Sequence, residues 1–266
     1  MPSKPKLGQH LLNDPQAAER IATSLGDLTG RTAVEIGAGQ GAITAALAAR
    51  AAHVIAVELD SAYASALREQ FPTGRVTVIE RDILQFDFQA AAVQAGAPLL
   101  VAGNLPYYIT SQILLKLAAA HASIDRAVLM VQREVADRVT AEPGSRDYGL
   151  LSVTAQMYGP AQQLFTLPPS AFSPPPEVHS TVFRWRLAPR FADLGVDEIA
   201  FPKFLRRVFH QKRKTLANNL RAAGFEPARS SAAMSTADID RRARAEALPI
   251  ESLAALWRGL NPPPAC

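Results

Sequence analysis

The stretch Val34-Glu35-Ile36-Gly37-Ala38-Gly39-Gln40-Gly41-Ala42-Ile43-Thr44 decides the fold. It leaves a β-branched run at residues 32–36, passes through three glycines spaced G-x-G-x-G, and enters an Ala-rich segment with helical character. Glycine has no Cβ, so it lets a chain turn tightly off a strand and approach a ligand closely. A dinucleotide pyrophosphate on a helix N-terminus is read from G-x-G-x-x-G instead, one residue longer between its last two glycines. The shorter spacing here argues against NAD.

Outward from this turn the same rhythm continues to about residue 187. Strands are predicted at 32–36, 53–57, 76–79, 99–102, 127–131, 163–167 and 181–187, with helical stretches among them. That alternation predicts an α/β fold with helices on both faces of a sheet. Only the proline-rich loop 168–178 joins the last two strands, too irregular for a crossover helix, so an antiparallel end is expected on a seven-stranded mixed sheet. Upstream, Asp14-Pro15 reads as an N-cap followed by proline at the first helical position. The helix it opens runs to about residue 25, behind a loop at 4–13. Beyond Pro189 no further strand is evident, and 201–223, 235–247 and 250–259 read as helices. The division expected is therefore a catalytic domain at 1–189 and a small all-α domain at 190–266, ending in a frayed tail from 261.

The ends of successive strands carry the chemistry. Gly37 and Gly39 follow the first. Glu58 ends the second, about twenty residues on, where a carboxylate can accept hydrogen bonds from ribose hydroxyls. Asp82 follows the third, placed to accept from an adenine amino group. An acid at one strand end is common; glycines, Glu58 and Asp82 in this order point to S-adenosylmethionine. The fourth strand ends at Asn104-Leu105-Pro106-Tyr107. An adenine N6 is a poor nucleophile because its lone pair is delocalised into the ring. The Asn104 side-chain oxygen and the Leu105 or Pro106 carbonyl can accept its two N–H bonds, and Tyr107 offers a ring on which a flipped base stacks. Such a transfer needs positioning and electrostatics, with no metal and no strong base.

Composition narrows the setting. The chain has 266 residues, 48% of them hydrophobic, enough for a substantial core. A single cysteine, Cys266, provides neither an internal disulfide nor metal-ligand spacing, and no apolar run is long enough to span a bilayer. A cytoplasmic protein is expected. The net charge of +4 is mild, but Lys203, Arg206, Arg207, Lys212, Arg213, Lys214 and Arg221 fall in one stretch without an acidic residue. On a helix, the pairs among these at three- and four-residue spacing share a face. A solvated face is the ordinary account of such a run, and phosphate contact with a polyanionic partner is the alternative.

Several further stretches accompany these: LGQHLL (7–12), VELD (57–60), RDIL (81–84), GNLPYYIT (103–110), QREVADR (132–138), YGLLSV (148–153), PPSAFSPPPEVHS (168–180) and HQKRKTLANNL (210–220). With them the chain resembles, nearly end to end, the ribosomal RNA adenine N6,N6-dimethyltransferases. The likeness is to the bacterial branch that modifies two adjacent adenosines near the 3′ end of 16S RNA in the small (30S) subunit or its precursor. The resemblance implies a Rossmann-like class I methyltransferase using S-adenosylmethionine, with cofactor contacts at His10, Leu12, Gly37, Glu58, Asp82 and Asn104. It implies a catalytic loop at Asn104, Leu105, Pro106 and Tyr107, and Phe172 closing on the target base. Without it, Phe172 reads equally as a plug under the proline loop, and His10 as a solvated histidine. The chain departs from the family pattern at His10, where asparagine is usual in GQNFL, and at His179, where VDS is usual. Three rivals stand beside this reading: a large-subunit dimethyltransferase of the erythromycin-resistance type, an adenine-N6 DNA methyltransferase, and a non-catalytic assembly factor. No exposed heptad calls for a partner copy, so a monomer is expected, its helical domain binding RNA.

Overall fold

The computed structural model describes residues 10–71 and 74–261; positions 4–9 of the expected N-terminal loop, with the first three residues of LGQHLL, and 262–266 of the tail lie outside the described residues. In chain order the elements are β1 (Leu11–Leu12), α1 (Pro15–Ser24), β2 (Thr32–Ile36), α2 (Ala42–Ala48), β3 (His53–Glu58), α3 (Ser61–Gln70) and β4 (Val76–Glu80). Next come α4 (Phe88–Ala95), β5 (Leu99–Asn104), α5 (Thr110–Ala119), β6 (Ile124–Gln132), α6 (Arg133–Thr140), α7 (Leu150–Met157), β7 (Ala161–Leu167), β8 (Phe172–Ser173) and β9 (Ser180–Arg186). Five helices follow: α8 (Phe191–Leu194), α9 (Ala200–Val208), α10 (Leu216–Ala222), α11 (Pro227–Thr236) and α12 (Ile250–Leu260).

The chain divides into two compact units, one made of the residues up to 136 with 160–188, the other of 137–159 with 189 onward. In the first, seven strands lie in the order β4-β3-β2-β5-β6-β9-β7. The five from β4 to β6 are parallel, and β9 runs antiparallel to both β6 and β7, the mixed sheet expected. Strand alternation puts Ala33, Val54, Leu100, Ala102, Val128 and Met130 on one face. They bury there against Ile21 of α1, Leu25 just past its end and Leu47 of α2. Val34, Ile36, Val57, Val101 and Leu129 point the other way and are as fully buried, and α4 packs on β5. Asp14 caps α1 as its sequence predicts, its carboxylate accepting from the Gln16 and Ala17 amides at 2.9 and 3.1 Å. Between β2 and β5, Gly103 is a close approach: a Cβ there would sit 2.7 Å from the Ile36 carbonyl oxygen.

The second unit is helical and has its own core, with Tyr148, Val153 and Met157 buried among Phe201, Leu205, Leu216, Leu220 and Leu253. Residues 137–159, expected with the sheet, therefore cluster with the helices. Two helix expectations are also corrected. The helix expected at 201–223 breaks at 209–215, where Thr215 caps α10 by accepting from the Asn218 amide. Apolar residues recur at 201, 204, 205 and 208, but the next turn would need them near 211 and 212, where Gln and Lys stand. The helix expected at 235–247 gives way to α11, opened by Glu226 as N-cap and Pro227 at N1, and a single 3-10 turn at Ala245–Ala247. No helix among the described residues is long and apolar enough to cross a membrane.

Candidate active site

Strand order reverses at β2, which pairs with β3 on one side and β5 on the other, and ligands of open α/β sheets sit outside the carboxyl ends of strands at such a switch. A cleft of about 420 Å³ opens there. Gly37 and Gly39 line it after β2, Glu58 to Ser61 after β3, Arg81 to Ile83 after β4, and Asn104 to Ile109 after β5; His10 and Leu11 close it from the N-terminal side.

The glycine turn is locked to the acidic wall. Gly39 has φ +52°, a left-handed conformation, and a Cβ there would lie 2.8 Å from a Leu11 methyl. Its N–H donates to Glu58 Oε2 at 2.8 Å, while Glu58 Oε1 accepts from the Leu59 and Asp60 amides, each at 2.9 Å. These bonds fix a buried carboxylate, and part of its capacity for about four hydrogen bonds is left for a ligand. A pyrophosphate on this turn would meet that negative charge. A ligand with ribose hydroxyls and a positive sulfonium suits it, so the residues present fit S-adenosylmethionine. Asp82 also lines the cleft, one oxygen accepting from the Leu84 amide at 2.9 Å.

Beneath the turn lies a residue the sequence reading passed over. Glu35 in β2 is 1% exposed and accepts from the Thr44 hydroxyl of α2 at 2.5 Å, bracing the two ends of the turn. Burial pushes its carboxyl up to about 8; the Thr44 hydroxyl opposes this and the charge of Glu58 adds to it. The legible signal was an acid inside an otherwise apolar strand.

The loop after β5 is fixed atom by atom. The Asn104 amide nitrogen donates to the His10 carbonyl at 2.8 Å, which orients the amide and leaves Oδ1 to accept. The Pro106 carbonyl accepts from the Thr110 hydroxyl at 3.0 Å and the Ile109 amide at 3.2 Å. Of the two carbonyls weighed from sequence, that of Leu105 is thereby the one left for a substrate. Tyr107 shares a hydrogen bond with Ser180 at 2.9 Å, and burial raises its phenol above the ordinary value.

Two expected site residues stand elsewhere. Leu12 pairs with Phe172 between β1 and β8, and both side chains are buried in the core with Ile21 and Met130. Because side chains alternate along a strand, Leu11 faces the cleft and Leu12 the core. Phe172 is the plug, not a wall of the cleft. Conversely, Arg81, Ile83 and the half-exposed Leu59 and Tyr108 line the cleft without having been singled out. Lys203, Arg206 and Arg207 are exposed on α9 and Arg221 on α10, while Lys212, Arg213 and Lys214 form an exposed turn, so the shared face of pairs three and four residues apart exists within α9 and not across the turn. Among the described residues no group of three or more His, Cys, Asp and Glu side chains comes together as a metal site.

The strand order with its reversal, the glycine turn and the acidic wall beside Asn104-Leu105-Pro106-Tyr107 define a Rossmann-like class I methyltransferase that uses S-adenosylmethionine. The family model for ribosomal RNA adenine dimethylases matches residues 2–261, and the chain belongs to that family. It is an S-adenosylmethionine-dependent enzyme that dimethylates adenine in ribosomal RNA, as the resemblance implied. A protein of Acidobacterium capsulatum named ribosomal RNA small subunit methyltransferase A is 58% identical, over 97% of this chain and 91% of its own. A protein of the same name from Koribacter versatilis is 48% identical over 97% and 94%. Among solved structures, a dimethyladenosine transferase from Plasmodium falciparum superposes with a TM-score of 0.80 at 23% identity, over 93% of this chain and 96% of that one. The 23S rRNA methyltransferase ErmE does so with 0.74 at 24%, over 94% and 99%. At such identities these two likenesses speak for the fold.

Proposed function

We propose that this enzyme dimethylates N6 of two adjacent adenosines near the 3′ end of 16S ribosomal RNA, in the small (30S) subunit or its precursor, acting as a cytoplasmic monomer. The observation that carries the reaction is the Asn104 amide, turned by its bond to the His10 carbonyl so that Oδ1 is an acceptor, with the Leu105 carbonyl next along the chain. The two acceptors take the two N6–H bonds of a flipped adenine, which draws the nitrogen lone pair out of the ring towards the incoming methyl group. The adenine stacks on the face of Tyr107 opposite His10. Glu58 and Asp82 hold the ribose and adenine of the cofactor, with Gly37 and Gly39 giving its amino-acid part room. When bound, S-adenosylmethionine supplies an electrophilic methyl group on a sulfonium.

For the substrate, small-subunit RNA is supported over large-subunit RNA by the names of the relatives that are 58% and 48% identical. The helical unit is assigned to RNA binding, on the exposed cations of α9, α10 and the turn between them. The direct test incubates small subunits lacking these methyl groups with the protein and labelled S-adenosylmethionine, then identifies the labelled nucleosides. N6,N6-dimethyladenosine in 16S RNA, absent with Asn104→Ala, is expected. Label confined to large-subunit RNA or DNA would overturn the substrate, and subunit binding without any transfer would favour an assembly factor.

A further inference from the structure

The N-terminal residue that departs from the family pattern makes three separate contacts to the active-site loops. The carbonyl of His10 accepts from the Asn104 amide at 2.8 Å. Its ring stacks on Tyr107, centroids 5.6 Å apart and planes 30° from parallel. Its Nδ1 lies 2.8 Å from the Pro174 carbonyl oxygen, and since a carbonyl only accepts, the ring donates. The backbone that follows is pinned as well: Leu11 pairs with Ser173, Leu12 with Phe172, and the Asn13 amide donates to the Ala171 carbonyl at 2.8 Å.

A solvated loop histidine needs none of this, and a residue that only touched cofactor would not need to be held from three sides. Asn104 and Tyr107 come from one loop, Pro174 from another, and they lie 94 to 164 residues from His10 in sequence, so the contacts exist only in the fold. Asn104 has one rotatable amide whose two ends do opposite things, since one donates and the other accepts. The donating end is tied to the His10 backbone, which the paired strands β1 and β8 hold on its C-terminal side and which the two ring contacts hold at His10 itself.

We infer that His10 is a positioning residue: its ring, clamped between Tyr107 and the Pro174 carbonyl, keeps its own carbonyl under the Asn104 amide so that Asn104 Oδ1 and the Tyr107 ring are presented to the substrate base. This rests on the proposed roles of Asn104 and Tyr107. It assigns His10 an action through other residues, distinct from the cofactor contact that the family resemblance implies for it.

The two side-chain contacts can be removed separately. His10→Asn keeps an N–H that can reach Pro174 and loses the ring; His10→Phe keeps the ring and loses the donor; His10→Ala loses both. With saturating cofactor, kcat for methyl transfer is expected to fall about tenfold in each single-contact variant and about a hundredfold in His10→Ala. The Kd for S-adenosylhomocysteine, measured by calorimetry, and KM for the RNA should move less than about threefold. In the free protein, labelled at asparagine and tyrosine, NMR resonances of the Asn104 amide and Tyr107 ring should shift in all three variants. That arm needs no turnover, so it tests the clamp even if the wild-type chain methylates nothing and the substrate reading fails. A cofactor Kd weakened tenfold with kcat intact, or unmoved Asn104 and Tyr107 resonances, would overturn the assignment.

Discussion

Glu35 and Thr44 meet at 2.5 Å across the glycine turn, a strand acid and a helix hydroxyl both withdrawn from solvent. The pair ties the end of β2 to the first turn of α2, so the loop that lines the cleft is anchored on both sides. Burial keeps the Glu35 proton to about pH 8, well above the ordinary 4.5 at which an unfolded chain would release it. Between those values the folded state holds a proton that the unfolded state has lost, so this group's contribution to stability falls as pH rises through the window and levels off above it. Glu35→Gln keeps an acceptor for Thr44 and removes the titration. Its melting temperature should gain on the wild type steadily from pH 5 to pH 8; a constant difference would mean that the folded state does not hold the Glu35 proton beyond the pH at which the unfolded chain loses it.

Asn104→Ala should lower kcat about 10²- to 10³-fold, the loss seen when one preorganised hydrogen-bonding group at a reacting centre is removed. RNA affinity should stay within about threefold, because the cations assigned to phosphate lie on the helical unit. Filter binding and single-turnover transfer with the same RNA separate the two quantities. A parallel collapse of both would mean that Asn104 holds the loop's shape and not only the base.

Much of this site was legible because its parts are local. Val34 to Gly41, Asp14-Pro15 and Asn104 to Tyr107 each announce a turn, a cap or a loop within a few residues, and strand periodicity orders them. What stayed hidden is of two kinds. Leu12 and Phe172 could not be assigned to core or cleft until β1 and β8 were seen to pair, and the His10 contacts likewise join residues far apart in sequence. The break after Val208 and the start of α11 were legible but misread. Gln211 and Lys212 interrupt the apolar period, and Glu226-Pro227 is the same kind of signal as Asp14-Pro15.

Gly39→Ala places a Cβ 2.8 Å from the Leu11 methyl on a backbone at φ +52°. The left-handed conformation alone costs about 1–2 kcal/mol for a residue with a side chain. Leu11 must also move, and it lines the cleft. A lower melting temperature is expected, with affinity for S-adenosylhomocysteine reduced about tenfold. Adding Leu11→Ala should restore part of the affinity and little of the stability, since it relieves the contact but not the backbone. Full recovery of both would show that the backbone strain is negligible.

The turn Lys212-Arg213-Lys214 carries three exposed cations in succession, held in place by the Asn219 side chain, whose amide donates to the Gln211 carbonyl at 3.2 Å. If each cation neutralises one phosphate, binding releases about one counterion apiece. The slope of log affinity against log salt should then flatten by roughly 2 to 3 when all three become glutamine. The turn can be emptied of charge without disturbing the core, because its side chains point to solvent while Leu216 and Leu220 hold the helix behind it. The melting temperature should therefore hardly change. Methyl transfer at low salt should fall through KM for RNA, with kcat recovered at saturating RNA. A slope unchanged within error would make the turn a solvated surface and move the RNA contact to Lys203, Arg206 and Arg207 of α9. A kcat that fails to recover would mean that the turn also sets how the RNA is presented to the cleft.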